Sequence, residues 1–207
     1  MATRARPAWR EGWWHGAKAC ASPNFDARPK GLPITLVVLH SISLPPGEYG
    51  GDAIERLFGN RLDWDAHPYF DGIRGLKVSA HFLVRRDGRL LQFVSCDQRA
   101  WHAGRSAWRG RTDCNHHSVG IELEGLEGSS FEPAQYMQLA RLLRALAGRY
   151  PIDEVVGHED VAPGRKFDPG AGFDWRLLRK LLRRTRPALP RTLHGPGEGH
   201  AAHPGSP

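Results

Sequence analysis

Three cysteines in 207 residues, Cys20, Cys96 and Cys114, are too few and too far apart for a disulfide framework. No CxxC pair is present to hold zinc by thiolates. The expectation is three free, buried thiols. No run of about 18 apolar residues occurs, which excludes a membrane-spanning helix. The basic start, Met1 to Arg10, leads into Glu11-Gly12-Trp13-Trp14-His15-Gly16, which is no apolar signal-peptide core. A cytoplasmic protein is expected. Internal repeats and an HExxH zinc motif are also missing.

Acidic residues are in the minority, 22 against 29 Lys and Arg, for a net charge of +7. That excess does not by itself signal nucleic acid. A local cluster of basic residues lies in the stretch Arg176 to Arg184, where leucines alternate with them as in an amphipathic helix with a solvated face. A basic protein equally suits a small anionic substrate. Neither a nucleic-acid nor a membrane partner is expected, and the chain reads as a monomer.

The length suits a single domain with one core. Residues 1–10 read as a flexible N-terminus, 11–186 as the domain, and 187–207 as a disordered tail rich in Pro, Gly and His. Within the domain, Ile34 to His40 is a β-branched run that suits a central strand covered on both faces. Segments Ser79 to Val84 and Arg89 to Val94 flank Arg86-Asp87-Gly88, a hairpin signal. Ser118 to Leu123 and Val155 to Gly157 read as further strands. Asp52 to Phe58 suits a short helix, and Pro133 to Arg149 has helical apolar spacing at Tyr136, Leu139, Leu143 and Leu146. The fold class is α/β or α+β, a mixed central sheet flanked by helices.

Of eleven histidines, two stand at strand ends, where rigid backbone meets the pockets at a sheet edge. His40 closes the strongest strand. His158 closes another and opens a loop to Gly170 that carries Glu159, Asp160, Lys166 and Asp168. Two imidazoles and a carboxylate are a known ligand set for catalytic zinc. Spacing alone leaves open which carboxylate joins them.

The ordered stretches Val37 to Gly51 (VVLHSISLPPGEYGG), Asp65 to Phe70, Val78 to Gly88, Arg99 to Gly104, Ser118 to Gly125 and Gly157 to Trp175 resemble the zinc-dependent N-acetylmuramoyl-L-alanine amidases, in particular the branch acting on 1,6-anhydro-muramyl peptides. The resemblance implies that His40, His158 and Asp168 bind Zn2+, with Glu122 as acid/base and Lys166 as the cation beside the reacting carbonyl. It implies a muropeptide substrate, cut between the muramyl lactyl group and L-alanine during cell-wall recycling. Tyr69, Lys77, Trp101, His102 and Arg111 are the substrate-binding candidates. Taken singly, each residue also has an ordinary structural role, and Glu124 rivals Glu122 on the same strand face. Three positions depart from the family's usual residues: Ser41 for Asn, Lys77 for Arg, and Asp113 for a basic residue. The alternatives are an amidase acting on intact wall and a peptidoglycan-binding protein without activity, which is expected to lack a ligand.

Overall fold

In the computed structural model, residues 8–183 and the backbone of 192–193 are described. The β-branched run expected around residue 37 becomes strand β2, Leu36–Ile42, an interior strand of a seven-stranded sheet. Its companions are β1 (Lys18–Ala19), β3 (Phe82–Val84), β4 (Leu90–Gln92), β5 (Ser118–Glu124), β6 (Glu154–Gly157) and β7 (Thr192–Leu193). The order is β7-β6-β2-β5-β3-β4-β1. Strands β7, β6, β2, β5 and β3 run parallel, while the β3–β4 hairpin turns the last two strands the other way. The sheet is therefore mixed, as expected, and the Asp87-Gly88 turn closes the hairpin with Gly88 at φ 83°.

Side chains alternate across these strands, and the two faces have different fates. One face carries Val37, Leu39, Val119, Ile121, Leu123, Phe82 and Val84. It packs against the long helix α2 (Pro133–Ala147) and the C-terminal helix α4 (Trp175–Arg183), which supply Leu139, Leu143, Leu146, Leu178 and Leu182. Pro133 opens α2 where its missing N–H costs nothing, and Gln135 Oε1 accepts from the Glu132 amide at 2.9 Å. The basic residues of α4 stay at its outer side, as the amphipathic spacing predicts: Arg176, Lys180 and Arg183 are exposed.

The other face is split. Leu83 and Leu91 pack under the short helix α1 (Ala53–Phe58). Leu36, Val38 and Val156 pack under Ala103, Cys114 and the helical turn α3 (His158–Val161). Between these two apolar clusters the sheet is uncovered at the C-terminal ends of β2, β5 and β6, the usual place for a site in a parallel sheet.

Some expectations shift at their ends. The hairpin strands, Phe82–Val84 and Leu90–Gln92, are shorter than the apolar runs, and the Ser79 amide donates to the Trp101 carbonyl at 3.1 Å rather than to the hairpin partner. Trp9–Arg10, inside the segment expected to be flexible, pairs with Trp13–Trp14, and the Trp9 and Trp14 rings stack at 6.0 Å. The tail 187–207 lies outside the described residues except for the backbone of β7. Cys96 and Cys114 are buried free thiols, whereas Cys20 is half-buried. No helix among the described residues is long and apolar enough to cross a membrane.

Candidate active site

His40 is the fifth residue of β2, and its register partner on β5 is Glu122. Paired residues on adjacent strands project to the same face, so both side chains enter the uncovered gap. On the other side of β2, strand β6 ends at Gly157 and hands His158 to α3, with Asp160 Oδ2 accepting from the amide of the capping residue, Gly157 N, at 2.7 Å. The chain then doubles back. Glu159 N donates to the Asp168 carbonyl at 3.0 Å, and Ala162 N donates to the His158 carbonyl at 3.0 Å. This fold-back returns Asp168 to His158 across ten residues of sequence.

The three groups converge. His40 Nδ1 and His158 Nδ1 are 2.9 Å apart, and Asp168 Oδ2 lies 3.3 Å from the first and 3.2 Å from the second. All three residues are buried. Zn–N bonds of 2.0–2.1 Å in a tetrahedral site place neighbouring ligand atoms about 3.3 Å apart, so the triangle has the size of one face of such a site. The donor chemistry agrees. His158 Nε2 sits 3.2 Å from the Ala103 carbonyl, which only accepts. The ring proton is therefore on Nε2, and Nδ1 presents a bare lone pair. A second imidazole nitrogen and a carboxylate oxygen face that lone pair, an arrangement that a cation between them stabilises. Burial and the neighbouring His158 pull the His40 pKa down to about 4, so a proton is a poor substitute for that cation at neutral pH. Burial works against ionised Asp168, yet the two imidazoles packed against it outweigh burial and hold the acid well below the usual carboxylate range.

A second layer holds the rings. With Nδ1 of His40 free, its Nε2–H donates to His102 Nδ1 at 3.0 Å, and His102 Nε2 faces Ser118 Oγ at 3.2 Å. The His102 ring lies so close to β5 that a Cβ on Gly120 would stand 2.4 Å from its Cγ. His81, expected to be a buried hydrogen-bonded histidine, accepts from the Gly120 amide at 3.0 Å on the same strand. Arg165 Nη2 donates to the Ala103 carbonyl at 2.8 Å and so steadies the acceptor behind His158.

The cluster floors a cleft of about 450 Å3. Glu122 and Lys166 both line it. Glu122 is buried, and its Oε2 has no hydrogen-bond partner. Burial and then the Asp168 carboxylate raise its pKa well above the ordinary value, with Lys166 opposing. Tyr69 and Trp101 also line the cleft, Tyr69 with 43% of its surface exposed. His102 touches the cleft but spends its ring nitrogens on His40 and Ser118. Lys77 is exposed between the cleft-lining Leu76 and Val78 and is not itself in the lining. Arg111 lines a different cavity of about 440 Å3 with Leu36, Trp108 and Glu154, at the starts of β2 and β6 rather than their ends.

Sequence reasoning did not find the Ala103 carbonyl, the contact between His102 and His40, or the anchoring by Arg165. A glycine in the middle of a buried strand, Gly120, is the one signal that announces a close approach there.

Comparison with known proteins now decides the family. The model of the family described as N-acetylmuramoyl-L-alanine amidase matches residues 30–171. The chain belongs to that family. The match contains every element of the cleft, from β2 to Asp168, and amide hydrolysis is the family's activity. The 1,6-anhydro-N-acetylmuramyl-L-alanine amidase AmpD of Citrobacter freundii is 51% identical over 174 residues, covering 83% of this chain and 93% of that protein. A crystal structure of an AmpD selenomethionine derivative superposes with a TM-score of 0.81 at 51% identity, covering 84% of this chain and 98% of the other. The E. coli amidase AmiD, solved in complex with anhydro-N-acetylmuramic acid-L-Ala-D-gamma-Glu-L-Lys, matches at 32% identity and a TM-score of 0.53, covering 75% and 58%. The expected family, mixed-sheet fold and amidase activity all stand.

Proposed function

We propose that the cleft hydrolyses the amide bond between the lactyl group of 1,6-anhydro-N-acetylmuramic acid and L-alanine in soluble muropeptides, with zinc held by His40, His158 and Asp168. The observation that carries this is the triangle of two imidazole nitrogens and one carboxylate oxygen, 2.9 to 3.3 Å on its edges, at the floor of the cleft. The substrate class draws support from the AmpD amidases at 51% identity and from the ligand of the AmiD complex.

Zinc bound by these three residues supplies a Lewis acid that lowers the pKa of water from 15.7 to about 7 and polarises the scissile carbonyl. The protein's own groups do the rest. Glu122 takes the proton of the attacking water, and its raised proton affinity suits it to hold that proton until the leaving amine needs it. The Lys166 ammonium faces the carbonyl oxygen as negative charge builds there, a stabilisation worth about 3 kcal/mol for one well-placed donor. His102 acts through His40 by fixing its tautomer. Tyr69 and Trp101 give ring surface to the substrate, and Lys77 at the cleft lip meets a peptide carboxylate.

The setting we infer is the bacterial cytoplasm, where a monomer acts on wall fragments brought in for recycling. The three unpaired thiols suit a reducing compartment.

The test is to incubate metal-loaded protein with anhydro-muramyl tripeptide and, separately, with intact sacculi, and to follow free peptide by mass spectrometry. Release from the soluble compound alone is the expected result. Release from sacculi alone overturns the substrate and makes the protein a wall-cutting amidase.

A further inference from the structure

Glu124 projects from the same strand face as Glu122, but its carboxylate is already committed. Oε1 accepts from Arg85 Nη1 at 2.5 Å and from the Gly50 amide at 2.7 Å, and Oε2 accepts from the Arg86 amide at 3.1 Å. Arg85 in turn donates from Nη2 to the Gly51 carbonyl at 2.7 Å and to the Glu55 carboxylate. Glu124 is 2% exposed and Arg85 3%. Nearer the surface, the Arg86 guanidinium lies 4.5 Å from the centre of the Tyr49 ring.

These contacts meet on Tyr49, Gly50 and Gly51, the far end of the Ser43–Gly51 segment. The near end lines the cleft beside His40 through Ser43, Leu44 and Pro46. Between them the backbone forms no helix or strand, and Gly47 and Gly50 take φ of 82° and 81°. Within the segment only Gly47 N to Ser43 Oγ and Glu48 N to the Pro45 carbonyl close turns. A segment so rich in proline and glycine does not choose its own path over the sheet, so its position is imposed from outside. Burying an ion pair is a poor way to gain stability, because desolvation offsets the attraction, but it is a specific way to fix backbone groups that need charged partners.

We propose that Glu124 and Arg85 are positioning residues that clamp Ser43–Gly51 as a wall of the substrate cleft. Neither side chain makes a hydrogen bond or ion pair with His40, His158, Asp168, Glu122 or Lys166. Their effect is therefore on how tightly the substrate is held, not on bond breaking. This inference rests on the cleft being the muropeptide site.

The experiment compares Glu124→Gln with the unmodified protein in three measurements: hydrogen exchange of the 43–51 peptide, zinc content, and steady-state release of peptide from anhydro-muramyl tripeptide. Exchange in 43–51 is expected to rise about tenfold, with Ser118–Glu122 still protected. KM rises about tenfold while kcat stays within about twofold, and zinc content is unchanged. If Glu124→Gln does not fold, Glu55→Gln loosens the outer end of the same clamp and gives the same pattern at smaller size. Unchanged exchange in 43–51, a fall in kcat at constant KM, or loss of zinc overturns the proposal. If the unmodified protein releases no peptide, the substrate reading has failed separately. Exchange alone then decides the clamp, which stands only if the acceleration is confined to 43–51.

Discussion

His158 Nε2 and the Ala103 carbonyl, 3.2 Å apart, decide which nitrogen of His158 is available to a metal. A carbonyl has no proton to give, so the imidazole donates to it and turns Nδ1 toward His40 and Asp168. Ala103 belongs to a loop that shares no strand with His158, and Arg165 Nη2 holds its oxygen in place at 2.8 Å. The ring that completes the candidate metal cluster is therefore aimed by backbone from a remote part of the chain. Such outer partners commonly change metal affinity by about 10- to 100-fold when lost.

Replacing His158 with Ala removes one of three converging donors. The variant is expected to lose stoichiometric zinc and all measurable turnover together. Metal analysis of the dialysed protein and mass spectrometry of released peptide check both. A variant that still binds one zinc per chain with native affinity refutes the ligand assignment. Chelation of the unmodified protein should reproduce the loss, and added zinc should reverse it.

Lys166→Ala separates charge stabilisation from metal binding. The side chain lines the cleft but takes no part in the triangle of donors. Zinc content should be native, while kcat falls about 10²- to 10³-fold, the range seen when one oxyanion donor is removed. A change confined to KM would make Lys166 a substrate-binding group instead.

How much of this was legible in the sequence follows from what each signal depends on. β2 announces itself by its β-branched run and β5 by Val119 and Ile121 on one face, both without tertiary information. The Pro133 helix is equally plain, because its apolar spacing and its start agree. The hairpin turn is local and was readable, but the ends of its strands were not, since the Ser79 amide takes a distant partner, the Trp101 carbonyl. His158 follows the end of its strand as expected and His40 stands two residues before the end of β2 rather than at it, whereas the choice of Asp168 over Glu159 and Asp160 needed either the family resemblance or the fold-back that the Glu159 amide makes to the Asp168 carbonyl. Glu122 and Glu124 have the same local pattern. Only long-range partners separate them: Glu124 meets Arg85, 39 residues away, while Glu122 Oε2 meets none. Arg111, two residues from Asp113, reads as a neighbour of the site, yet it precedes β5 and lines a cavity at the starts of the strands, opposite the ends that carry the site.

Gly120→Ala tests the layer behind His40. The added methyl would stand 2.4 Å from the His102 ring, which must shift to make room for it. Overpacking of this kind costs about 1–3 kcal/mol of stability. The displaced His102 no longer meets His40 Nε2, so zinc affinity should fall by about 10- to 100-fold in a chelator competition titration. Lower stability with unchanged zinc affinity would show that His102 is packing and nothing more.

Glu122→Gln should make the metal-free protein more stable and the enzyme nearly inactive. The carboxyl is buried, faces the Asp168 charge, and leaves Oε2 without a partner, all of which favour its protonated form in the folded state. A group whose folded pKa lies above its unfolded value binds more protons when folded. Its contribution is therefore fully present below the ordinary glutamate pKa and is lost as pH rises through the raised folded value. Glutamine carries no charge to desolvate at any pH. The gain in Tm over the unmodified apoprotein should thus be a few degrees at pH 7–8 and shrink toward zero near pH 4, at about 2–4 °C per kcal/mol for a domain of this size. Over the same substitution kcat should fall about 10²- to 10⁴-fold with zinc retained, as expected when a proton carrier is removed. A site kept under electrostatic tension for its chemistry gives up stability to do so. Scanning calorimetry of both apoproteins across pH decides the matter: a Tm difference that is flat with pH, or largest in acid, means that Glu122 is not held in its protonated form by the fold.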